Sequence, residues 1–247
     1  MKQNDYQGHF LSLLFIVLVY FYTRNYYSPF FWMILGLLLL LAFLKEENRL
    51  FAWVVISFFG GNFIVIYLDK YIEGVVADPF FRVIINQILF IIPILSMCYV
   101  IKQFNKRVSF FFKKPETFSI LYIVLLLIVT GFLFLFLIKD GINVFLSLFS
   151  FSLFYAIMQE VIWRGIFLTQ MINITSETTA ILYTSIAFSV NTTIFGFSPA
   201  VFLLYLILGL IFGYLTSKYK SILPTTVVHS VVLLFSFLNG WIQLPIL

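Results

Sequence analysis

A chain of 247 residues with 62% hydrophobic and only 10% charged residues has too little polar surface to cover a water-soluble domain of its size, and a mean hydropathy of +1.08 agrees. The net charge of +5 sits in and near the loops between apolar runs, so it reads as a membrane-topology signal, and nucleic acid is not an expected partner. The single cysteine, Cys98, excludes an intramolecular disulfide, and one soft ligand is too few for a thiolate metal site.

Nine apolar segments follow one another, roughly Phe10 to Tyr22, Pro29 to Leu44, Leu50 to Leu68, Val83 to Ile101, Phe118 to Ile138, Ile142 to Ile157, Thr178 to Val190, Ala200 to Leu215 and Ile222 to Leu238. A helical span needs about 20 residues, so the first and seventh must borrow flanking residues, and eight or nine helices is the expected range. Uninterrupted apolar runs are the helical signature, since barrel strands alternate. The expected fold is an all-α, polytopic transmembrane helical bundle in which residues 1–247 form one integral membrane domain. Lys2 precedes the first run as in a signal peptide, but no small-x-small cleavage site follows it, which predicts a retained first helix.

The amino terminus and even-numbered loops carry Lys2, Lys45, Arg49, Lys102, Lys106, Arg107, Lys113, Lys114, Arg164, Lys218 and Lys220, against Arg24, Lys70, Arg82 and Lys139 on the other side. That imbalance predicts a cytoplasmic amino terminus. The patch from Lys102 to Lys114, interleaved with Phe104, Phe110, Phe111 and Phe112, is expected to lie on anionic lipid headgroups.

Unusual polar residues gather in the carboxy-terminal half. Glu160 and Arg164 lie inside an apolar stretch, four positions apart and so on one helix face, where each can neutralise the other. Gln159 is one residue away, about 100° of helix rotation, and faces a different partner. Asn191, Thr192 and Thr193 form a polar cluster near a helix end, and His229 stands alone in the last segment. Counted from the turn near Asn173 to Glu177, both Glu160 and Thr192 lie about 20 to 28 Å deep, whereas His229 lies about 12 Å from the Lys218 to Ser221 turn. Their convergence requires the second turn to sit deeper. Gly209 and Gly213 make a small-xxx-small surface in the eighth segment, the candidate surface for gripping a partner helix.

Three blocks, Gln159-Glu160-Val161-Ile162-Trp163-Arg164-Gly165, Ser185-Ile186-Ala187-Phe188-Ser189-Val190-Asn191-Thr192 and Ser221-Ile222-Leu223-Pro224-Thr225-Thr226-Val227-Val228-His229, resemble in order and spacing the CAAX-protease and bacteriocin-processing (CPBP or Abi) family of intramembrane proteases. Residues from Tyr155 to Leu238 carry the resemblance, within a family-like core of about 142–240. In that family the blocks read Glu-Glu-x-x-x-Arg, Phe-x-x-x-His and His-x-x-x-Asn. The resemblance implies that the first glutamate and the second-block histidine activate water, while the third-block histidine and asparagine steady the oxyanion. Here Gln159 replaces the first glutamate, Thr192 falls four after Phe188 where histidine is expected, and Leu233 falls four after His229 where asparagine is expected. An amide and a hydroxyl are poor bases near neutral pH, so hydrolysis through these positions is not expected. The altered first block and the Asn-Thr-Thr stretch are similar to the lysostaphin-resistance protein A branch. This implies a non-catalytic protein of a bacterial plasma membrane that binds a single-span or cell-wall partner such as a cell-wall hydrolase, with no cofactor and no metal. An active intramembrane endopeptidase of CAAX or bacteriocin-leader type is the alternative.

Overall fold

The structure, a computed structural model, describes residues 6–76, 79–108, 128–129, 131–132, 135, 142–192 and 198–239. Among them the architecture is all-α: α1 Tyr6–Thr23, α2 Pro29–Phe43, α3 Glu46–Val75, α4 Pro79–Leu89, α5 Ile91–Gln103, α6 Ile142–Glu160, a π-helical stretch Val161–Phe167, α7 Leu168–Ile174, α8 Glu177–Asn191, α9 Pro199–Tyr219 and α10 Leu223–Leu238. Four helical runs among the described residues are long and apolar enough to cross a membrane: Tyr6–Thr23, Glu46–Val75, Leu148–Ile174 and Pro199–Tyr219. The helices α2 and α10 and the segment Gln87–Gln103 are apolar but shorter. The expected segment Phe118 to Ile138 lies outside the described residues apart from five helical positions, and so does the basic stretch beyond Val108.

Local chemistry sets the helix ends. Prolines at the start of α2, α9 and α10 sit where a missing N–H costs nothing. The apolar run read as one segment from Val83 to Ile101 is two helices broken at Phe90. The reason is Pro93, which has no N–H for the carbonyl of Leu89 and whose ring crowds that carbonyl. The seventh expected segment begins with a working cap, the Ser176 hydroxyl accepting from the Thr179 amide.

The helix α1 packs on α2 and on α8, α2 on α3, α3 on α5, α8 on α9, and α6 on α10. The π-helical stretch lies in the middle, touching α5, α8 and α9, with all seven of its residues buried. An aromatic core joins the amino-terminal helices to it. The Phe15 and Phe167 rings lie 4.4 Å apart, the Phe58 and Phe167 rings 5.1 Å apart, and Trp163 lies against Phe58 at 6.0 Å. In lipid such contacts matter because shape and dispersion, more than water exclusion, hold helices together.

Close approaches fall at glycines. A Cβ at Gly8 would collide with the Ile174 carbonyl oxygen, and one at Gly61 would come within 2.5 Å of Pro93 Cα. Gly209 lies against Ser185 (3.0 Å to its Cβ) and Gly213 against Ile181 (2.8 Å to Cγ2), both on α8 of the same chain. The small-residue face assigned to a partner helix is therefore occupied by the chain's own helix, because glycines let two backbones meet wherever they face each other, inside a bundle or between two. The outward side of α9 carries large residues instead, such as Leu203, Ile207 and Tyr214.

Candidate functional site

Glu160, the last residue of α6, is fully buried, and its Oε1 accepts a hydrogen bond from Arg164 Nη1 at 3.2 Å. The i,i+4 pairing expected from spacing is present. The same Oε1 lies 2.8 Å from His229 Nδ1 on α10, so the first and third sequence blocks meet on one oxygen atom.

Aromatic rings close the cluster. The Arg164 guanidinium stacks 4.0 Å from the Phe188 ring centre and lies 5.3 Å from Phe212. Stacking on π faces shields a cation that hydrocarbon would otherwise penalise. The His229 imidazole is walled by Phe188 at 5.6 Å, Phe212 at 5.4 Å and Tyr155 at 6.0 Å. Glu160, Arg164, His229, Phe188 and Phe212 are all 2% exposed or less.

The depth mismatch is resolved by the shape of the last turn. Its outer edge is level with the α7–α8 turn, since the exposed Glu177 accepts from Ser217 and pairs with Lys220 at 3.9 Å. Lys220 then takes a left-handed conformation (φ 51°), and Ser221 and Ile222 tuck inward with no exposed surface. The helix α10 thus starts inside the bundle, within reach of Glu160. A seam of hydroxyls satisfies the backbone there: Thr225 and Thr226 both donate to the Ile222 carbonyl, at 2.9 and 2.8 Å.

Gln159 faces elsewhere, as its rotation predicts. Its Oε1 accepts from Trp163 Nε1 at 2.8 Å and from Asn191 Nδ2 at 3.3 Å. The second block therefore meets the first through Asn191. Thr192, in the histidine register, donates its hydroxyl to the Ser189 carbonyl at 2.8 Å and closes the end of α8. The physical reason is local: at a helix end a hydroxyl finds a free carbonyl three residues back, whereas the longer amide side chain can reach a neighbouring helix. Leu233, in the asparagine register, is fully buried against Phe151, Tyr155 and Ala156.

Two site residues escaped the sequence reading. Trp163 is four after Gln159, so the same i,i+4 rule that paired Glu160 with Arg164 would have found it. Phe212 carries no such signal, being one of 33 phenylalanines. The π-helical register was also invisible, although its cause is traceable. Thr169 donates its hydroxyl to the Gly165 carbonyl at 2.6 Å, and the Leu168 amide bonds back five residues to Trp163. A hydroxyl competing for a helix carbonyl beside a glycine loosens the α register, and π stretches of this kind recur at functional sites.

The arrangement is a closed polar cluster with an ion pair, an imidazole and a separate amide pair. A carboxamide bonded to an indole and a second carboxamide takes no proton from water. The sequence model of the family described as type II CAAX prenyl endopeptidase Rce1-like matches residues 141–235. No curated protein and no solved structure gives a match. The matched stretch holds Gln159, Glu160, Arg164, Phe188, Asn191, Thr192 and His229, from α6 to α10. That match covers 95 of the 247 residues, from 141 to 235, and likens this stretch to the Rce1-like CAAX prenyl endopeptidase family, while the apolar helices make the chain a multi-pass membrane protein.

Proposed function

We propose that this chain is a non-catalytic member of that family, acting by holding a membrane-anchored cell-envelope partner such as a cell-wall hydrolase. The observation that carries the reading is Gln159, which stands where the family places a carboxylate and whose Oε1 is already occupied by Trp163 and Asn191. Loss of a positioned base costs about 10²–10⁴ in rate, and loss of an oxyanion donor a further 10²–10³ or so. The altered first block, the Asn191-Thr192-Thr193 stretch and Leu233 support placement near the lysostaphin-resistance protein A branch. The setting is a bacterial plasma membrane, with the amino terminus cytoplasmic and Lys102, Lys106 and Arg107 against anionic headgroups. Residues 1–247 act as one unit, which the Phe15–Phe167 contact between the two halves supports.

The test is incubation of the purified protein in lipid nanodiscs with prenylated CAAX peptides and bacteriocin leader peptides, read by mass spectrometry, beside co-purification from native membranes. No cleavage and a stoichiometric single-span partner are expected. The second reading, an endopeptidase with a rearranged site, is favoured by the 2.8 Å contact between Glu160 and His229. Cleavage that Glu160→Gln abolishes, at unchanged protein level and partner recovery, would establish that reading and remove the first.

A further inference from the structure

We infer that His229 is held as its Nδ1–H tautomer, so that Nε2 presents a bare lone pair and this end of the site receives a small hydrogen-bond donor, water, instead of steadying an oxyanion. The argument starts from one oxygen atom. Glu160 Oε1 lies 2.8 Å from His229 Nδ1 and 3.2 Å from Arg164 Nη1. A proton must lie between Oε1 and Nδ1 for that contact to be attractive, and there are two places for it.

On the carboxyl group, the proton would remove the negative charge that balances Arg164, whose one ion pair among the described residues is with Glu160. The guanidinium would then be an uncompensated buried charge. On Nδ1, the proton leaves the ion pair intact and lets a carboxylate accept from two donors. A second proton, on Nε2, would give the cluster a net positive charge inside the rings of Phe188, Phe212 and Tyr155. The neutral Nδ1–H form is the state without a stranded charge.

Nε2 is buried and has no hydrogen-bond partner among the described residues, and the same holds for Arg164 Nη2. A bare imidazole nitrogen only accepts, and a guanidinium only donates. Water does both and is small enough for a cluster in which Glu160 and His229 expose no surface. The inference holds in either functional reading. Without catalysis it removes the oxyanion donor that the family's third-block histidine supplies; with catalysis it makes His229 a proton acceptor, oriented from behind by Glu160.

The test is ¹⁵N NMR of the full chain, labelled at histidine, in detergent micelles at neutral pH. The substitution His9→Gln leaves one imidazole; in the unsubstituted chain His9 is separable by its contact with Tyr183. The expected result is a protonated Nδ1, an unprotonated Nε2, and magnetisation transfer from water to the His229 ring protons. A protonated Nε2 overturns the tautomer, and absence of transfer overturns the water. A second sample, Glu160→Leu with Arg164→Leu, removes the acceptor from Nδ1 without stranding a charge and is expected to shift the proton toward Nε2. An unchanged tautomer there also overturns the inference.

Discussion

Two arginines in this chain meet acids in two different solvents. Arg164 is 2% exposed and pairs with a fully buried Glu160, deep in the span Leu148–Ile174. Arg82 reaches Glu73 at 3.2 Å and Asp69 at 3.9 Å, with those acids 57% and 29% exposed. The helix α3 explains the difference: its 30 residues rise about 45 Å, against a hydrocarbon thickness of about 30 Å, so its last turns emerge into water. The chemistry is the same at both ends of this comparison. What differs is the alternative open to each charge when its partner is removed, hydration at Arg82 and hydrocarbon at Arg164.

The strongest test of that contrast is removal of one buried partner. Glu160→Leu or Arg164→Leu alone is expected to destabilise the protein by about 3–5 kcal/mol, because each strands a buried charge. The double substitution should cost less than either single one, and certainly less than their sum. Thermal unfolding in detergent checks this, and losses that simply add would show that the two residues are not coupled.

His229→Leu comes next. It takes one donor from Glu160 but leaves Arg164 in place, so a loss of about 1.5–3 kcal/mol is expected, the range for a hydrogen bond to a charged group. If the loss equalled that of Arg164→Leu, His229 would be sharing the task of neutralisation, contrary to the neutral imidazole inferred above.

Packing offers a control in which no charge is involved. Gly61→Ala drives a methyl group to 2.5 Å from Pro93 Cα and is expected to cost about 1–3 kcal/mol. A Cβ at its neighbour Gly60 would meet nothing within 4 Å among the described residues, so Gly60→Ala should be neutral or stabilising by up to about 1 kcal/mol through helix propensity. Equal effects at the two positions, measured by the same unfolding assay, would mean that α3 does not meet α5 at Pro93.

What the sequence made legible follows the same division between local and non-local physics. Glu160 with Arg164 was readable because four residues of one helix fix the geometry before any tertiary contact exists. The separate direction of Gln159 was readable from rotation alone. The meeting of His229 with Glu160 was suggested by block order, but its mechanism, a turn folded inward at Ser221 and Ile222, depends on where α9 ends relative to α7. The choice of Asn191 over Thr192 as the partner of Gln159 depends on which side chain spans the space between two helices, and register counting places Thr192 there. The four-residue spacing of the α9 glycines marks a close-packing face, yet the sequence carries no label for whose helix fills it.

The smallest expected effect closes the comparison from its other end. Arg82→Ala removes the partner of Glu73 and Asp69, but both acids keep contact with water, so the cost should be only about 0–1 kcal/mol. Its dependence on salt is the more informative reading. At 1 M salt the screening length falls to about 3 Å, comparable to the pair distance itself, so the difference between Arg82→Ala and the unsubstituted protein should vanish there. The Glu160–Arg164 pair is shut away from ions by Phe188 and Phe212, and its double-mutant coupling should not change over the same salt range. Unfolding midpoints at low and high salt for Arg82→Ala and for the buried cycle give both answers in one experiment. A salt-sensitive coupling at Glu160 would mean that solvent reaches the cluster. In that event its value to the protein would be that of a surface pair, and hydrocarbon burial would no longer account for why a carboxylate and a guanidinium persist four residues apart in this span.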